Sequence, residues 1–510
     1  MRSRLAARPL SPRGAPKLVV DASAPSPSET AIPVAQKAVR GGMALGLRHV
    51  VVQGVGFVAN LILARALVPS DFGAFAFVTV VTQLSMLLGD AGLGAALVQR
   101  RERLSNDLLA VVFTFQQVLL LGLVLAVWFA SPWLISYYHF PPEYVWLVRL
   151  TILSLGFTSL RAVSALVLER NVDFQKIAKV EIAEALTYYL LCSAFAVSGF
   201  GVWSFAWAAI ARAAVGAAVM FRIAPWRVAL RWDFPAIKEL ARFGLPFQGS
   251  NLLGFANSSL TPVILGATLG PAAVGFVNFA ASLVGYASMP AWVINRVSFP
   301  AFSRMQGEES AFADAFLKLQ RASALMMFGI AALLLGLAEP IIVHVFSAKW
   351  QPSVPIFTLL ALGLYVSAWS VPNGSVLNAL GESRLNFRLN IAVTLTMWLF
   401  GIPLMLAFGV MGVAYATLLS NWVHPVTNHI LQKRFRYALI RHIWPPLLAS
   451  GLTAAVLHLA SRAVEIENLL TLAAMLIAGM LGYLSLNFLF DRKGTTAFLG
   501  QFVRTFERKA

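Results

Sequence analysis

The chain has 510 residues, 58% of them hydrophobic and only 12% charged, with a net charge of +18 and a mean hydropathy of +0.74. Soluble domains carry about 25% charged residues, so a soluble globular protein is excluded. Unbroken apolar runs exclude a porin-type β-barrel, which needs alternation, and basic residues scattered through short links argue against nucleic-acid binding.

Residues 1–42 are rich in Pro, Ser, Ala and Arg and lack a secretory apolar stretch, which predicts a disordered basic tail. Met43 opens the first apolar run and is an alternative start. Apolar segments then follow at 45–67, 74–98, 108–130, 144–167, 180–199, 202–222, 244–268, 272–300, 315–338, 354–378, 389–408, 411–430, 444–463 and 468–490. Each is long enough to cross a hydrocarbon core of about 30 Å as a helix, so the sequence predicts an all-α polytopic membrane protein with about 14 transmembrane helices.

Charge tests that count. With the amino terminus cytoplasmic, the links on that side hold most of the 40 Lys and Arg, including Arg100, Arg101 and Arg103; Arg170, Lys176 and Lys179; Arg227, Arg231, Lys238 and Arg242; and Lys433, Arg434, Arg436 and Arg441. The external links hold Lys349 and Arg462. A missed helix would invert this alternation from that point onward. Both termini are therefore expected in the cytoplasm. The longest external links, SPWLISYYHFPPE and EPIIVHVFSAKWQPS, are too small for a folded domain but carry interfacial Trp and Tyr.

The halves of the chain resemble one another. Pro69-Ser70-Asp71-Phe72-Gly73 with Phe77 aligns with Pro271-Ala272-Ala273-Val274-Gly275 with Phe279. Ser131-Pro132-Trp133 aligns with Glu339-Pro340-Ile341, and Gly201-Val202 with Gly412-Val413. Collinear matches imply a duplicated unit of six helices, hence two lobes related by a pseudo-two-fold axis along the membrane normal. The expected organisation is a tail (1–42), an N-lobe (43–222), a cytoplasmic amphipathic linker (223–243), a C-lobe (244–430), an extra helix pair (431–490) and a second tail (491–510). Trp226 and Trp232, set among arginines of the linker, are expected on the membrane surface.

Charges inside apolar runs mark candidate sites, because each costs roughly 2.5–3.5 kcal/mol or more at mid-bilayer. The embedded bases are Arg48, Arg65, Arg149, Arg161, Arg212 and Arg296; the embedded acids are Asp90, Glu181 and Glu184. The cationic excess suits an anionic diphosphate, which guanidinium grips bidentately while keeping its charge in a dry site. Arg212, mid-helix among small residues, either faces a central cavity or forms a structural ion pair. Arg48, Arg161 and Arg296 lie in cytoplasmic halves, where meeting a headgroup and snorkelling compete. Arg149 lies toward the outside, placed for release, and Arg65 either contacts substrate or braces the adjacent turn. Asp90 either pairs with an arginine such as Arg48 or protonates during transport. Glu181 and Glu184 share one helix face, Glu184 being the deeper candidate for ion coupling. His424, His429 and His458 match no metal spacing, and Cys192 reads as a small buried residue.

The stretches LARALVPSDFGAFAFVTVVTQLSMLLGDAGLGAALVQR (63–100), LERNVDFQKIAKVEIAEAL (168–186) and GLAEPIIVHVFSAKW…VLNALGES (336–383) resemble oligosaccharide flippases of the Wzx type, in the multidrug/oligosaccharidyl-lipid/polysaccharide (MOP) exporter superfamily. The similarity spans about 43–430. It implies two six-helix lobes, a basic cavity, coupling to a cation gradient and translocation of a polyprenyl-diphosphate-linked oligosaccharide across the bacterial inner membrane. A single copy is expected, with a polysaccharide polymerase or export machinery as a partner left open. No cofactor is expected, and no nucleotide-binding GxxxxGK[ST] is present. Rival readings are a cation-coupled multidrug antiporter, for which the second half offers no embedded acid, and a peptidoglycan lipid-precursor flippase. A membrane enzyme would need a convergent catalytic set at a sizeable external loop.

Overall fold

A computed structural model of the protein describes residues 31–496, apart from 101–103, 227, 306–308, 436–438, 465, 467 and 493. Residues 1–30 and 497–510 of the expected tails, and Arg101, Arg103, Arg227 and Arg436 of the basic links, lie outside the described residues. The first half runs α1 (Ala31–Ala66), α2 (Pro69–Asp90), α3 (Leu93–Gln99), α4 (Asn106–Tyr137), α5 (Tyr144–Leu160), α6 (Ala162–Arg170), α7 (Phe174–Val197) and α8 (Trp203–Ile223). The second runs α9 (Phe234–Leu269), α10 (Pro271–Ala287), α11 (Met289–Arg304), α12 (Glu309–Gly336) and a short α13 (Ala338–Pro340). A π turn (Ile341–Phe346) and a 3-10 turn (Ala348–Ser353) lead into α14 (Val354–Ala368), α15 (Asn373–Ala379), α16 (Ser383–Phe408), α17 (Val410–Ser420), α18 (Val423–Phe435), α19 (Leu439–Ala463) and α20 (Leu469–Phe490). No strand occurs among the described residues.

Ten of these helices are long and apolar enough to span a bilayer, or thirteen when three bent pairs each count as one span. Thirteen of the fourteen expected segments fall on these spans among the described residues. The bent pairs break at Arg161 (44°), between Ala256 and Ser258 (47°), and at Ser288 (52°). The remaining expected span, 411–430, is divided into α17 and α18 at Asn421–Trp422, so neither piece reaches spanning length. Expected boundaries also move. Residues 31–42 continue α1 as helix, and α9 begins within the expected linker because Asp233 caps the Ala236 amide at 3.1 Å and Pro235 suits a first turn. Trp232 in that link is exposed, whereas Trp226 packs edge-on against Phe113.

Two sets of contacts bring the halves of the chain together. At one end α2 and α10 start side by side. A Cβ on Gly73 would overlap the Pro271 carbonyl oxygen, and one on Gly275 would overlap that of Pro69. The two copies of the repeated Pro-to-Gly motif therefore pack against each other, and glycine is required in both for this approach. Fully buried Trp350 locks the same end: its indole N–H donates to the Ala64 carbonyl at 2.8 Å, and its ring stacks on Phe279 at 4.0 Å. At the other end the α2–α3 break, with Ala91 and Gly92 at φ +48° and +72°, lets Gly92 touch the Gly244 backbone of α9. There Gln248 donates to the Leu87 carbonyl, and His49 of α1 stacks on Trp292 of α11 at 3.6 Å.

Candidate functional site

Between these two closures lies a polar interior built from helix faces. α2 presents Thr79, Thr82, Gln83 and Met86, and α5 presents Thr151, Ser154, Leu155 and Thr158, each set at i, i+3, i+4 and i+7. Arg161, Glu184 and Tyr188 with Arg212 of α8 complete a cavity of about 430 Å³. Its charges come from neighbouring turns and are arranged in pairs. Arg161 Nε lies 3.1 Å from Glu184 Oε1, the two side chains being 18% and 4% exposed. Arg48 Nε lies 2.7 Å from Glu181 Oε2. Both are close ion pairs without hydrogen-bond alignment at Nε. Gly216 makes room for Glu184, since a Cβ there would overlap its carboxylate.

Arg212 is different. Its guanidinium carbon stands 5.8 Å from the Tyr188 ring centre, and among the described residues no carboxylate lies within 4.0 Å of it. Three guanidinium groups and two carboxylates thus leave the local excess at Arg212, flanked by Ala209 and Ala213, whose small side chains keep the space around it open.

The other sequence candidates are dispersed. Arg296 is exposed and lies over Trp292 at 5.2 Å, beside the His49 stack rather than in the chamber. Arg149 sits in the α4–α5 wall, donating to Ser131 Oγ at 3.1 Å between the rings of Trp128 and Trp146. Arg65 donates to the Val345 and His344 carbonyls at 2.9 and 3.1 Å, which makes it a brace of the Trp350 closure. Asp90 does not pair with Arg48. The α2 terminus directs it to α4, where it accepts from Gln116 Nε2 at 3.0 Å and lines a side cavity of about 150 Å³ that shares Met86, Leu155 and Thr158 with the main chamber. His458 lines a separate cavity of about 390 Å³ with His344, Glu339 and Arg462. Among the described residues no three His, Cys, Asp or Glu side chains converge as metal ligands. Cys192 is buried.

A second chamber, also of about 430 Å³, was not anticipated from the sequence. It adjoins the first through the shared wall of Phe75, Thr79, Gln83 and Tyr188, and it reaches across to the second half of the chain. α10 contributes Asn278, Ser282 and Tyr286, and α1 contributes Gly56 and Asn60. A readable signal existed: polar residues at i, i+4 and i+8 inside an otherwise apolar run.

The profile of a family described as "Polysaccharide biosynthesis protein" matches residues 62–355, more than half of the chain. The chain belongs to that family. Its relatives include the teichuronic acid biosynthesis protein TuaB of Bacillus subtilis (strain 168), 26% identical over 79% of this chain and 86% of the relative. The lipopolysaccharide biosynthesis protein WzxC of Escherichia coli (strain K12) is 25% identical over 78% and 80%. The succinoglycan biosynthesis transport protein ExoT of Rhizobium meliloti (strain 1021) is 27% identical over 61% and 62%. Among solved structures, the lipid II flippase MurJ in an inward closed conformation superposes with a TM-score of 0.71 at 16% identity, covering 89% of this chain and 99% of that one. An inward-facing multidrug resistance MATE family transporter of the MOP superfamily gives 0.53 at 16% identity, covering 80% and 96%. This polysaccharide biosynthesis family member therefore shares its fold with MurJ and, less closely, with that MATE structure. The matched segment holds Arg161, Glu184 and Arg212, whereas Arg48 and Asn60 precede it.

Proposed function

We propose that the protein carries a polyprenyl-diphosphate-linked oligosaccharide from the cytoplasmic to the periplasmic leaflet of a bacterial inner membrane by alternating access. The observation that carries this reading is the guanidinium of Arg212, which lines a half-open interhelical chamber, is exposed to it, and has no carboxylate within 4.0 Å among the described residues. An accessible guanidinium held between membrane-spanning helices without a paired carboxylate is open to a mobile anion, and a diphosphate supplies both charge and bidentate acceptors. The family and the printed names of its relatives, which speak of teichuronic acid, lipopolysaccharide and succinoglycan, point to the same substrate class. A cationic drug fits less well, because Glu181 and Glu184 are already paired with arginine.

In this reading the Gly92/Gly244 end and both termini face the cytoplasm and the Pro69/Pro271 end the periplasm, an orientation that the basic links support. Two lobes of six helices rock about the cavity, with α19 and α20 added outside. The contacts at both ends correspond to a state between loading and release. A diphosphate reaching Arg161 competes with Glu184 for its guanidinium; the released, buried carboxylate takes up a proton, which links substrate movement to a proton gradient.

The test is reconstitution in liposomes with a labelled undecaprenyl-diphosphate oligosaccharide. Replacing Arg212 by Gln should reduce translocation to the protein-free background while the protein still inserts and folds. Wild-type rates in that variant would sink the proposal.

A further inference from the structure

The two adjoining chambers differ in charge, and the difference has a direction. On the Arg212 side of Tyr188 lie two guanidinium groups and a carboxylate; on the other side, among the described lining residues, there is no carboxylate, guanidinium, ammonium or imidazole. The second chamber is nevertheless polar. Asn60, Gln83, Asn278 and Ser282 line it with carboxamides and a hydroxyl, from α1, α2 and α10. Aromatic rings form its remaining wall: Phe75 lies stacked on Phe205 at 4.2 Å, with Phe72 edge-on to Phe205 at 5.8 Å.

From this arrangement we infer that the chamber beside Asn60 and Asn278 is a carbohydrate subsite, which holds the uncharged sugars next to the diphosphate while Arg212 holds the diphosphate itself. The inference rests on the flippase reading above. Carboxamides and hydroxyls both donate and accept, as sugar hydroxyls do, so each buried hydroxyl finds a partner whichever way its proton points. Ring faces, negative in their quadrupole, suit the C–H faces of a pyranose. A phosphate would meet no cation there, a cationic drug no carboxylate, and a polyprenyl tail would strand the amides without partners. Geometry agrees with chemistry. Phe72, in the chamber's lining, lies edge-on to Trp350 at 4.9 Å on the side of the Pro69/Pro271 closure. A sugar attached to a diphosphate at Arg212 is directed into it past Tyr188.

The experiment measures binding of undecaprenyl diphosphate, its glucosyl derivative and its glucuronosyl derivative to the purified full-length protein in detergent. Wild type should bind the glucosyl carrier about tenfold more tightly than the bare diphosphate, the gain of a few hydrogen bonds. The Asn60→Ala/Asn278→Ala double variant should lose that tenfold gain and keep its affinity for the bare diphosphate. Gln83→Ala, at an exposed chamber position, should lose part of the gain and keeps the inference testable if the double variant does not fold. Arg212→Gln should weaken all three carriers together. A sugar preference missing in wild type, surviving in the double variant, or equal for the glucuronosyl carrier overturns the neutral subsite while the flippase reading stands. Failure of wild type to bind any carrier, or indifference of all carriers to Arg212→Gln, overturns the flippase reading and the subsite with it.

Discussion

The two halves of the chain fill their interiors differently. In the first, ionised groups meet between helices: buried Glu184 with half-buried Arg161, half-buried Arg48 with half-buried Glu181, and Arg212, exposed to the chamber, over Tyr188. In the second, the buried polar contacts are neutral. Gln320 Nε2 donates to Asn428 at 2.6 Å and to Asn373 at 3.3 Å, the Tyr483 hydroxyl donates to the Leu325 carbonyl at 2.8 Å, and Ser450 donates to the Phe328 carbonyl at 2.7 Å. Among the second half's ion pairs, Lys318 with Asp314 and Arg434 with Glu382 lie on exposed stretches, while Arg321 with Asp491 is half-buried where α12 meets the end of α20. Neutral amides and hydroxyls suffice to join helices across a core. Charged groups doing the same task carry a desolvation penalty that packing alone does not require, and the one pair with a carboxylate as buried as Glu184 lines a chamber in the first half, where the proposed function puts the charged ligand.

The sharpest way to break this contrast is to unpair one ion. Arg161→Leu leaves Glu184 buried beside α8 without its cation. The expected cost is about 3–5 kcal/mol, read as a shift in the denaturant midpoint of the detergent-solubilised protein. Arg161→Leu/Glu184→Leu should cost less than the single change, because no charge is stranded. A single variant as stable as wild type would show that Glu184 is protonated or solvated, and the half would not be ionic in the sense argued.

The matching change in the second half is Gln320→Leu. It removes two hydrogen bonds and leaves the Asn428 and Asn373 oxygens without that donor. The expected loss is about 1–3 kcal/mol, with transport per folded molecule unchanged. A loss of transport greater than the loss of folded protein would show that the neutral half also touches the substrate path at this depth.

Much of this was legible in the residues. Hydropathy and basic links read as a polytopic membrane protein, and the Pro69–Gly73 and Pro271–Gly275 motif was visible as a repeat before the two copies were found packed together. The shape of the spans was not, because the bends at Arg161 and Ser288 and the break at Asn421 fall inside uninterrupted apolar runs, where hydropathy is blind to direction. The rule that buried charge is costly selected Arg212 and Glu184, but not the partners: Arg48 and Glu181 meet only because α1 packs along α7, a contact between segments remote in sequence. The neutral chamber escaped for the opposite reason. Single Asn and Ser residues barely alter the hydropathy of a run, and only their common helical face gathers Asn278, Ser282 and Tyr286.

The smallest effect expected is at Arg149, which shares the first half and a guanidinium with Arg212 but not its surroundings. Arg149 lies between Trp128 at 4.9 Å and Trp146 at 5.1 Å and donates to Ser131, so its charge is spread over ring faces and a hydroxyl. It lines neither chamber. Arg149→Gln should therefore destabilise by about 0.5–2 kcal/mol, through the lost cation–π and hydrogen-bond contacts. Its translocation in liposomes should match wild type when normalised to inserted protein. If Arg149→Gln instead stopped translocation as Arg212→Gln is expected to, cationic charge anywhere in the first half would be what matters. The distinction drawn from pairing and enclosure would then fail, since both residues are arginines in apolar helices and differ only in whether a mobile anion has room to reach them.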